Sequence, residues 1–314
     1  MKIVITGGAG FIGANLCRQL LEIDPSVNVI AFDDLSTGSA SSLDGTEVTL
    51  VEGSILDRNA LDDAFADAQA IVHLAARPSV PRSIADPLAS HTVNATGTVE
   101  VLNAARRLDD PLVIVASSSS VYGANPELPK RESLVPMPLS PYAVGKLATE
   151  QYALAWQHSY GLRTLAFRFF NVFGPLQTAG HAYAAAIPAF ITAALEGRPI
   201  HVNGDGLQTR DFTYVGTLCS IIAAAIAEGT TSTSPVNLAF GTRTSLNDVI
   251  NLIEKIMGRP LTREHGDPRV GDVRHSQADN SLLRSMFPGV TAVGLSEGLE
   301  RTIEWTLEQQ PPHP

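Results

Sequence analysis

Tyr142 and Lys146 stand four residues apart in SPYAVGKLATEQYA, and Ser140-Pro141 just ahead of them marks a helix start. That spacing puts a phenol and an ammonium on one helical face. A phenol with an ordinary pKa of about 10 is a poor base at neutral pH, and a neighbouring cation stabilises the phenolate and brings it toward the working range. A second set of reactive groups lies in VIVASSSSVYG, Val113 to Gly123, where an apolar run ends in Ser117, Ser118, Ser119 and Ser120. No carboxylate stands among these hydroxyls. Either feature alone occurs by chance in many chains.

A third feature supplies the context. TGGAGFIG carries Gly7, Gly10 and Gly13 between the apolar run KIVIT and an apolar-periodic segment, Phe11 to Ile23. Glycines suit a tight strand-to-helix turn at which a pyrophosphate approaches the backbone and meets the helix N-terminus. Asp33 follows Gly13 by 20 residues, at the end of NVIAFD. A carboxylate there accepts from both ribose hydroxyls of an adenosine and repels a 2′-phosphate, so the expected cofactor is NAD rather than NADP. The competing reading of Asp33 and Asp34 is a simple turn. The positive nicotinamide of such a cofactor would join Lys146 in favouring the Tyr142 phenolate.

These residues need a scaffold, and the chain alternates strand and helix signals from its start. KIVIT, NVIAF, VTLVEG, AIVHLAA and LVIVASS recur at intervals long enough for crossover helices, which implies a parallel sheet covered on both faces. The second half is less regular, broken by Pro175, Pro188, Pro199 and the GDG turn at Gly204 to Gly206. A helix is expected from Ser245, capped with Asp248 and ended by Gly258 and Pro260, and another from about Ser296. The tail QQPPHP is expected to fray.

Composition narrows the classes. A chain of 314 residues, 44% hydrophobic and 17% charged, suggests about two domains. Its net charge of −10 argues against nonspecific nucleic-acid or membrane binding, although one local basic pocket suffices for an anionic small ligand. Cys17 and Cys219 lie in apolar helical patterns without paired spacing, and the eight histidines show no ligand spacing, so neither disulfides nor a metal is expected. No run reaches the roughly 18 apolar residues of a membrane span. A cytoplasmic protein is expected.

At this point the chain resembles the extended short-chain dehydrogenase/reductase family, and within it the nucleotide-sugar epimerases. TGGAGFIG, FDDL, HLAA, ASSSSVYG, YAVGK, RFFNVFGP, NGDG, RDFTYV and RVGDVRHSQAD follow the family's order over nearly the whole length. The resemblance implies a Rossmann-type doubly wound parallel sheet for residues 1–170, plus about 200–235. It implies a smaller, mostly C-terminal α/β domain for a UDP-sugar in about 171–199 and 236–314. It assigns Ser118, Tyr142 and Lys146 to proton transfer. NAD is expected to touch Gly7, Gly10, Phe11, Ile12, Asp33, Ser54, Ile55, Leu74, Ala75, Ala76, Tyr142 and Lys146. Ser54 departs from the family's usual Asp, and His73 of HLAA reads as a hydrogen-bonded core residue. The 4,6-dehydratases carry Asp and Glu where Ser119 and Ser120 stand, and the decarboxylases carry Glu at the Ser120 position. Both reactions are therefore disfavoured, leaving reversible oxidation at C4 and return of hydrogen to the other face.

For the substrate, the resemblance implies Ser79, Ser118, Ser119, Tyr142, Asn171, Gln177, Arg210, Arg269 and Ser276. The two arginines suit a diphosphate. Ser276 occupies the gate beside the C2 substituent, and its small size leaves space for an N-acetyl group, so UDP-GlcNAc and UDP-GalNAc join UDP-glucose and UDP-galactose. Pro78 stands where N-acetyl-selective relatives often carry Gly. The main rival is UDP-glucuronate 4-epimerisation, weakened because such enzymes often carry Thr for Asn171 and Arg for Thr178. A silent dinucleotide-binding protein is a further alternative, disfavoured by the intact Ser118, Tyr142 and Lys146 set. Relatives usually form homodimers through two helices, here Pro87 to Arg106 and Tyr142 to Ser159, with Leu147, Tyr152 and Trp156 as surplus apolar residues.

Overall fold

The computed structural model describes residues 1–179, 185–267 and 273–309. The first half runs β1 (Lys2–Thr6), α1 (Phe11–Ile23), β2 (Asn28–Asp33), β3 (Thr49–Glu52), α2 (Arg58–Phe65) and β4 (Ala70–His73). It continues with α3 (Val80–Ala85), α4 (Pro87–His91), α5 (Gly97–Ala105), β5 (Leu112–Ser118), α6 (Pro141–Tyr160) and β6 (Arg163–Phe169). Then come β7 (Asn171–Phe173), α7 (Ala186–Leu195), β8 (Ile200–Asn203), β9 (Thr209–Arg210), β10 (Phe212–Tyr214) and α8 (Val215–Glu228). The rest is β11 (Val236–Leu238), β12 (Thr244–Ser245), α9 (Leu246–Met257), β13 (Arg263–Gly266), α10 (Ser281–Met286) and α11 (Leu295–Glu308).

Seven strands form one parallel sheet in the order β11-β6-β5-β4-β1-β2-β3. Successive residues of a strand point to opposite faces. Ile3, Ile5, Val72 and Ile114 enter one apolar cluster with α1 and α8, while Val4, Ile71, Val113 and Val115 enter another with α2, α5 and α6. Burial on both faces explains why these strands read as unbroken apolar runs. This is the expected Rossmann-type α/β architecture.

Two segments depart from the expected division. Ile200–Asn203 pairs with Arg263–Gly266 in a small sheet, although it was assigned to the dinucleotide unit. Val236–Leu238, assigned to the sugar unit, instead extends the large sheet beside β6. Hydrogen-bonding edges, rather than local composition, decide both.

Local signals hold at several helix ends. Ser245 and Asp248 form a reciprocal capping box on α9, and Gly258 ends it with φ 65°. Ser140 caps α6 by accepting from the Ala143 N–H, with Pro141 in the first turn. The segment from Pro87 to Arg106 is not one regular helix. Thr92–Thr96 forms a π-helical turn between α4 and α5, and there the buried Asn94 accepts from Arg77 N and donates to Arg77 O, tethering the loop after β4. Leu147 and Trp156 pack on the chain's own core, so of the three surplus residues only Tyr152 is exposed. Cys17 and Cys219 are buried free thiols. No described helix is long and apolar enough to cross a membrane.

Candidate active site

The strand ends β1, β2 and β4 converge on the glycine turn. Gly7 holds φ 72°, and a Cβ there would lie 2.7 Å from Ala75 N. A Cβ on Gly13 would fall 2.2 Å from Gly7 O, so α1 can seat on the turn only without that side chain. Gly10 caps α1 with no side-chain hydrogen bond, and the first turn holds no acid. The N–H groups there suit phosphate oxygens.

Asp33 is buried, with Oδ2 accepting from Ala9 N and Oδ1 from Leu35 N, both at 2.9 Å. Burial pushes its pKa up while those N–H groups hold it down. Each oxygen keeps a second lone pair for a ribose hydroxyl. Phe11, Ile12, Leu74, Ala75 and Ala76 are half-buried around the turn. Ser54 accepts from Leu56 N, and Ile55 is buried in contact distance of Gly97. Turn, helix end and carboxylate together fit a dinucleotide.

His73 is a core residue. Its ring nitrogens share hydrogen bonds with Thr6 Oγ1 (2.8 Å) and Thr98 Oγ1 (3.1 Å), and Thr6 Oγ1 also accepts from Ala75 N. Burial, followed by the Lys146 charge, pushes its pKa from 6.5 down to about 3. The unfolded chain therefore binds a proton that the folded protein refuses, and folding loses free energy as pH falls from 6.5 toward 3. Denaturation of wild type and His73→Gln across that range should show the wild type steeper by about 1.4 kcal/mol per pH unit. Equal slopes would mean that His73 titrates normally.

The proton-transfer candidates meet where β5 ends against α6. The Ser118 hydroxyl, which accepts from Ser120 N at 3.2 Å, stands near the Tyr142 phenol. Burial pushes that phenol above its ordinary value and the Ser118 hydroxyl works against the rise. The lowering expected from Lys146 is not produced by the protein's own groups: its Nζ donates to Ala116 O at 2.8 Å. Burial brings the Lys146 pKa down to about 8.

At Ser118 opens a cavity of about 250 Å³ whose described lining includes Ser118, Ser119, Ser120, Asn171, Arg210 and Ser276, with Tyr142 and Lys146 outside it. Tyr122, Lys130, Ser140 and His275 also line it, and none of its described lining residues is Asp or Glu. Arg210 donates from Nη1 to Thr209 O. Arg243, Arg274 and Arg210 stand near His275 and, after burial, lower its pKa, which marks a basic pocket on an acidic chain. Ser79 stands at the rim, before the lining residue Val80, holding φ 91° and accepting from Arg82 N. Gln177 is outside the lining; its Nε2 donates to Val172 O and its Oε1 is buried without a partner among the described residues. Arg269 lies outside the described residues.

Several contributors escaped the sequence reading. Lys130 is 4% exposed, its Nζ donates to Asn125 O, and it forms no ion pair among the described residues. Ser120 Oγ is buried without a partner among the described residues. Asp211 accepts from Gly241 N, Thr242 Oγ1 and Ala278 N, and so holds the segment carrying Ser276. His275 and Asp211 sat inside quoted motifs, which was the available signal.

Similarity to known proteins agrees with this geometry. Residues 3–239 match the NAD dependent epimerase/dehydratase family. A UDP-glucose 4-epimerase of Mycolicibacterium smegmatis is 35% identical, with 97% of this chain and 98% of the relative aligned. The structure of a UDP-N-acetylglucosamine 4-epimerase from Methanobrevibacter ruminantium, solved with UDP-N-acetylmuramic acid, superposes with a TM-score of 0.93 at 34% identity, covering 98% and 99% of the two chains. A UDP-glucuronic acid 4-epimerase from Bacillus cereus, solved with UDP-glucuronic acid and NAD, gives 0.88 at 31% identity, covering 99% and 100%. This chain is an NAD-dependent epimerase and belongs to the NAD dependent epimerase/dehydratase family.

Proposed function

We propose that the protein is a UDP-hexose 4-epimerase acting on UDP-glucose/UDP-galactose and on UDP-GlcNAc/UDP-GalNAc through a 4-keto sugar. The observation that carries this reading is the cavity beside Ser118: hydroxyls, an amide and cations, with no carboxylate among its described lining residues. Expelling water from a sugar requires an acid and a base that serine hydroxyls cannot replace.

When bound, NAD supplies the acceptor for the hydrogen at C4, and its positive charge in the oxidised form favours the Tyr142 phenolate. Tyr142 takes the proton of the 4-hydroxyl, and Ser118, close to the phenol, orients that oxygen. Lys146, one helical turn from Tyr142, would help hold the cofactor and would keep a positive charge beside the phenol. Arg210 and Asn171 hold the diphosphate end, which leaves the sugar free to turn over about its bond to phosphate. Asp33 and the Gly7–Gly10 turn hold the dinucleotide. Small Ser276 leaves room at C2.

UDP-glucuronate is the second reading. The buried Lys130 in the cavity lining is a specific feature in its favour, since a uronate would bring a carboxylate to a wall that has none among its described residues. A homodimer is proposed on Ile84, Leu88, Val144 and Tyr152, which are exposed on α3, α4 and α6.

Proton NMR of separate incubations with UDP-glucose, UDP-GlcNAc and UDP-glucuronate, each with NAD, tests the assignment. A second anomeric signal should grow to equilibrium with the first two. Conversion of UDP-glucuronate alone would transfer the assignment to the second reading, and no conversion of any would remove 4-epimerisation.

A further inference from the structure

Ser117 does not line the cavity; its side chain is buried on the α6 side of the sheet. Its Oγ lies 2.7 Å from Glu150 Oε2 and 3.2 Å from Lys146 O, sharing one proton between them. Three consecutive β5 residues thus approach α6: Ala116 O accepts from Lys146 Nζ, Ser117 bonds Lys146 O and Glu150, and Ser118 stands near Tyr142.

Behind Ser117 the contacts continue across the sheet. Arg168 pairs with Ser117 in the β5–β6 register and with Asn237 in the β6–β11 register, so the three lie in one row. Its guanidinium grips the fully buried Glu150 at two points, Nε to Oε2 at 2.9 Å and Nη2 to Oε1 at 2.6 Å. The guanidinium also lies 4.7 Å from the centre of the Tyr122 ring, which lines the cavity, and Tyr122 OH donates to Asn237 Oδ1 at 2.6 Å. A buried ion pair adds little net stability over well-packed apolar groups, but a two-point contact tolerates only one placement.

We infer that Ser117, Glu150 and Arg168 form a positioning device that sets the height of α6 along β5, so that Tyr142 meets Ser118 in the geometry needed for proton transfer. The inference rests on the proton-transfer roles proposed above. Ser117 is the residue that passes the placement from the ion pair to the reacting turn. It touches both Glu150 and the Lys146 backbone, and it precedes Ser118. Loss of its hydroxyl leaves the ion pair intact while loosening the strand from the helix.

Ser117→Ala is therefore the test, because it removes one atom and keeps the Arg168–Glu150 contact. The kcat on the best UDP-sugar should fall about 10- to 100-fold, as expected for a small misplacement of reacting groups, with KM and NAD affinity within about twofold. The ring-carbon resonance of Tyr142, identified by its loss in Tyr142→Phe, should titrate about half to one pH unit higher as the Ser118 hydroxyl loses its place near the phenol. An unchanged kcat, or a loss shared equally by kcat, NAD affinity and melting temperature, would reduce the row to scaffold. The resonance needs no turnover. If the wild-type protein converts none of the UDP-sugars, the proposed function fails, yet an unshifted Tyr142 still overturns the positioning role and a shifted one still supports it.

Discussion

Tyr142→Phe is expected to slow 4-epimerisation by about 10³-fold and to leave the UDP-sugar affinity within a few-fold of wild type. The substitution removes one oxygen, the phenol at the head of α6 that stands near Ser118. Without it no placed acceptor remains for the proton of the sugar hydroxyl, since Ser118 alone has an ordinary pKa far too high. The grip on the nucleotide should persist, because Arg210, Asn171 and the loop of Ser276 lie on other elements. Turnover by NMR and affinity by calorimetry on the same preparation separate the two quantities. A variant of near-normal rate would take Tyr142 out of the chemistry, whereas one that loses affinity in proportion would make it a binding residue.

Arg168→Met is expected to cost about 3–5 kcal/mol of folding stability. Its partner Glu150 has no exposed surface and would be left as a charge without a cation, with the Ser117 hydroxyl at 2.7 Å and the Gln151 amide at 3.5 Å as its remaining side-chain donors. In the intact protein burial works to lower the Arg168 pKa, but hydrogen bonding and charge attraction from Glu150 and Tyr122 together outweigh it and the group ends above its ordinary range. Adding Glu150→Leu to Arg168→Met should recover a large part of the loss, because the uncompensated charge then disappears as well. Urea denaturation of the parent, both single variants and the double variant gives the coupling directly. A single-variant cost below about 1 kcal/mol would mean that water or backbone groups replace the lost cation.

The parts of the site that could be read from sequence were those written locally. A glycine turn between strand and helix, an acid at the next strand end, and a Tyr–Lys pair one turn apart are short-range patterns, and the sheet brings them together by its register. The alternation of apolar runs with helical spacing made the α/β architecture equally legible. What stayed hidden depended on long-range pairing or on burial. The three residues Val236–Leu238 and the four residues Ile200–Asn203 are too short to announce which sheet they join, and their partner edges decide it. Lys130 carries no sequence mark of being enclosed, since lysines ordinarily face water. The run of four serines could not say that Ser117 points to the buried Glu150 while Ser118 lines the cavity. That difference follows from side chains alternating across a strand that is about to end.

The return of β11 to the large sheet affects how the chain is made. During synthesis β6 emerges with only its β5 edge covered, and its other edge stays open until Val236–Leu238 arrives, after β7 to β10 and α7 and α8 have been built elsewhere. An open parallel edge is a template for pairing with another nascent chain. The row that aligns the reacting helix is incomplete over the same interval, because Asn237 is its last member. Newly made protein thus acquires its proton-transfer geometry late, in the same event that seals the sheet against neighbouring chains.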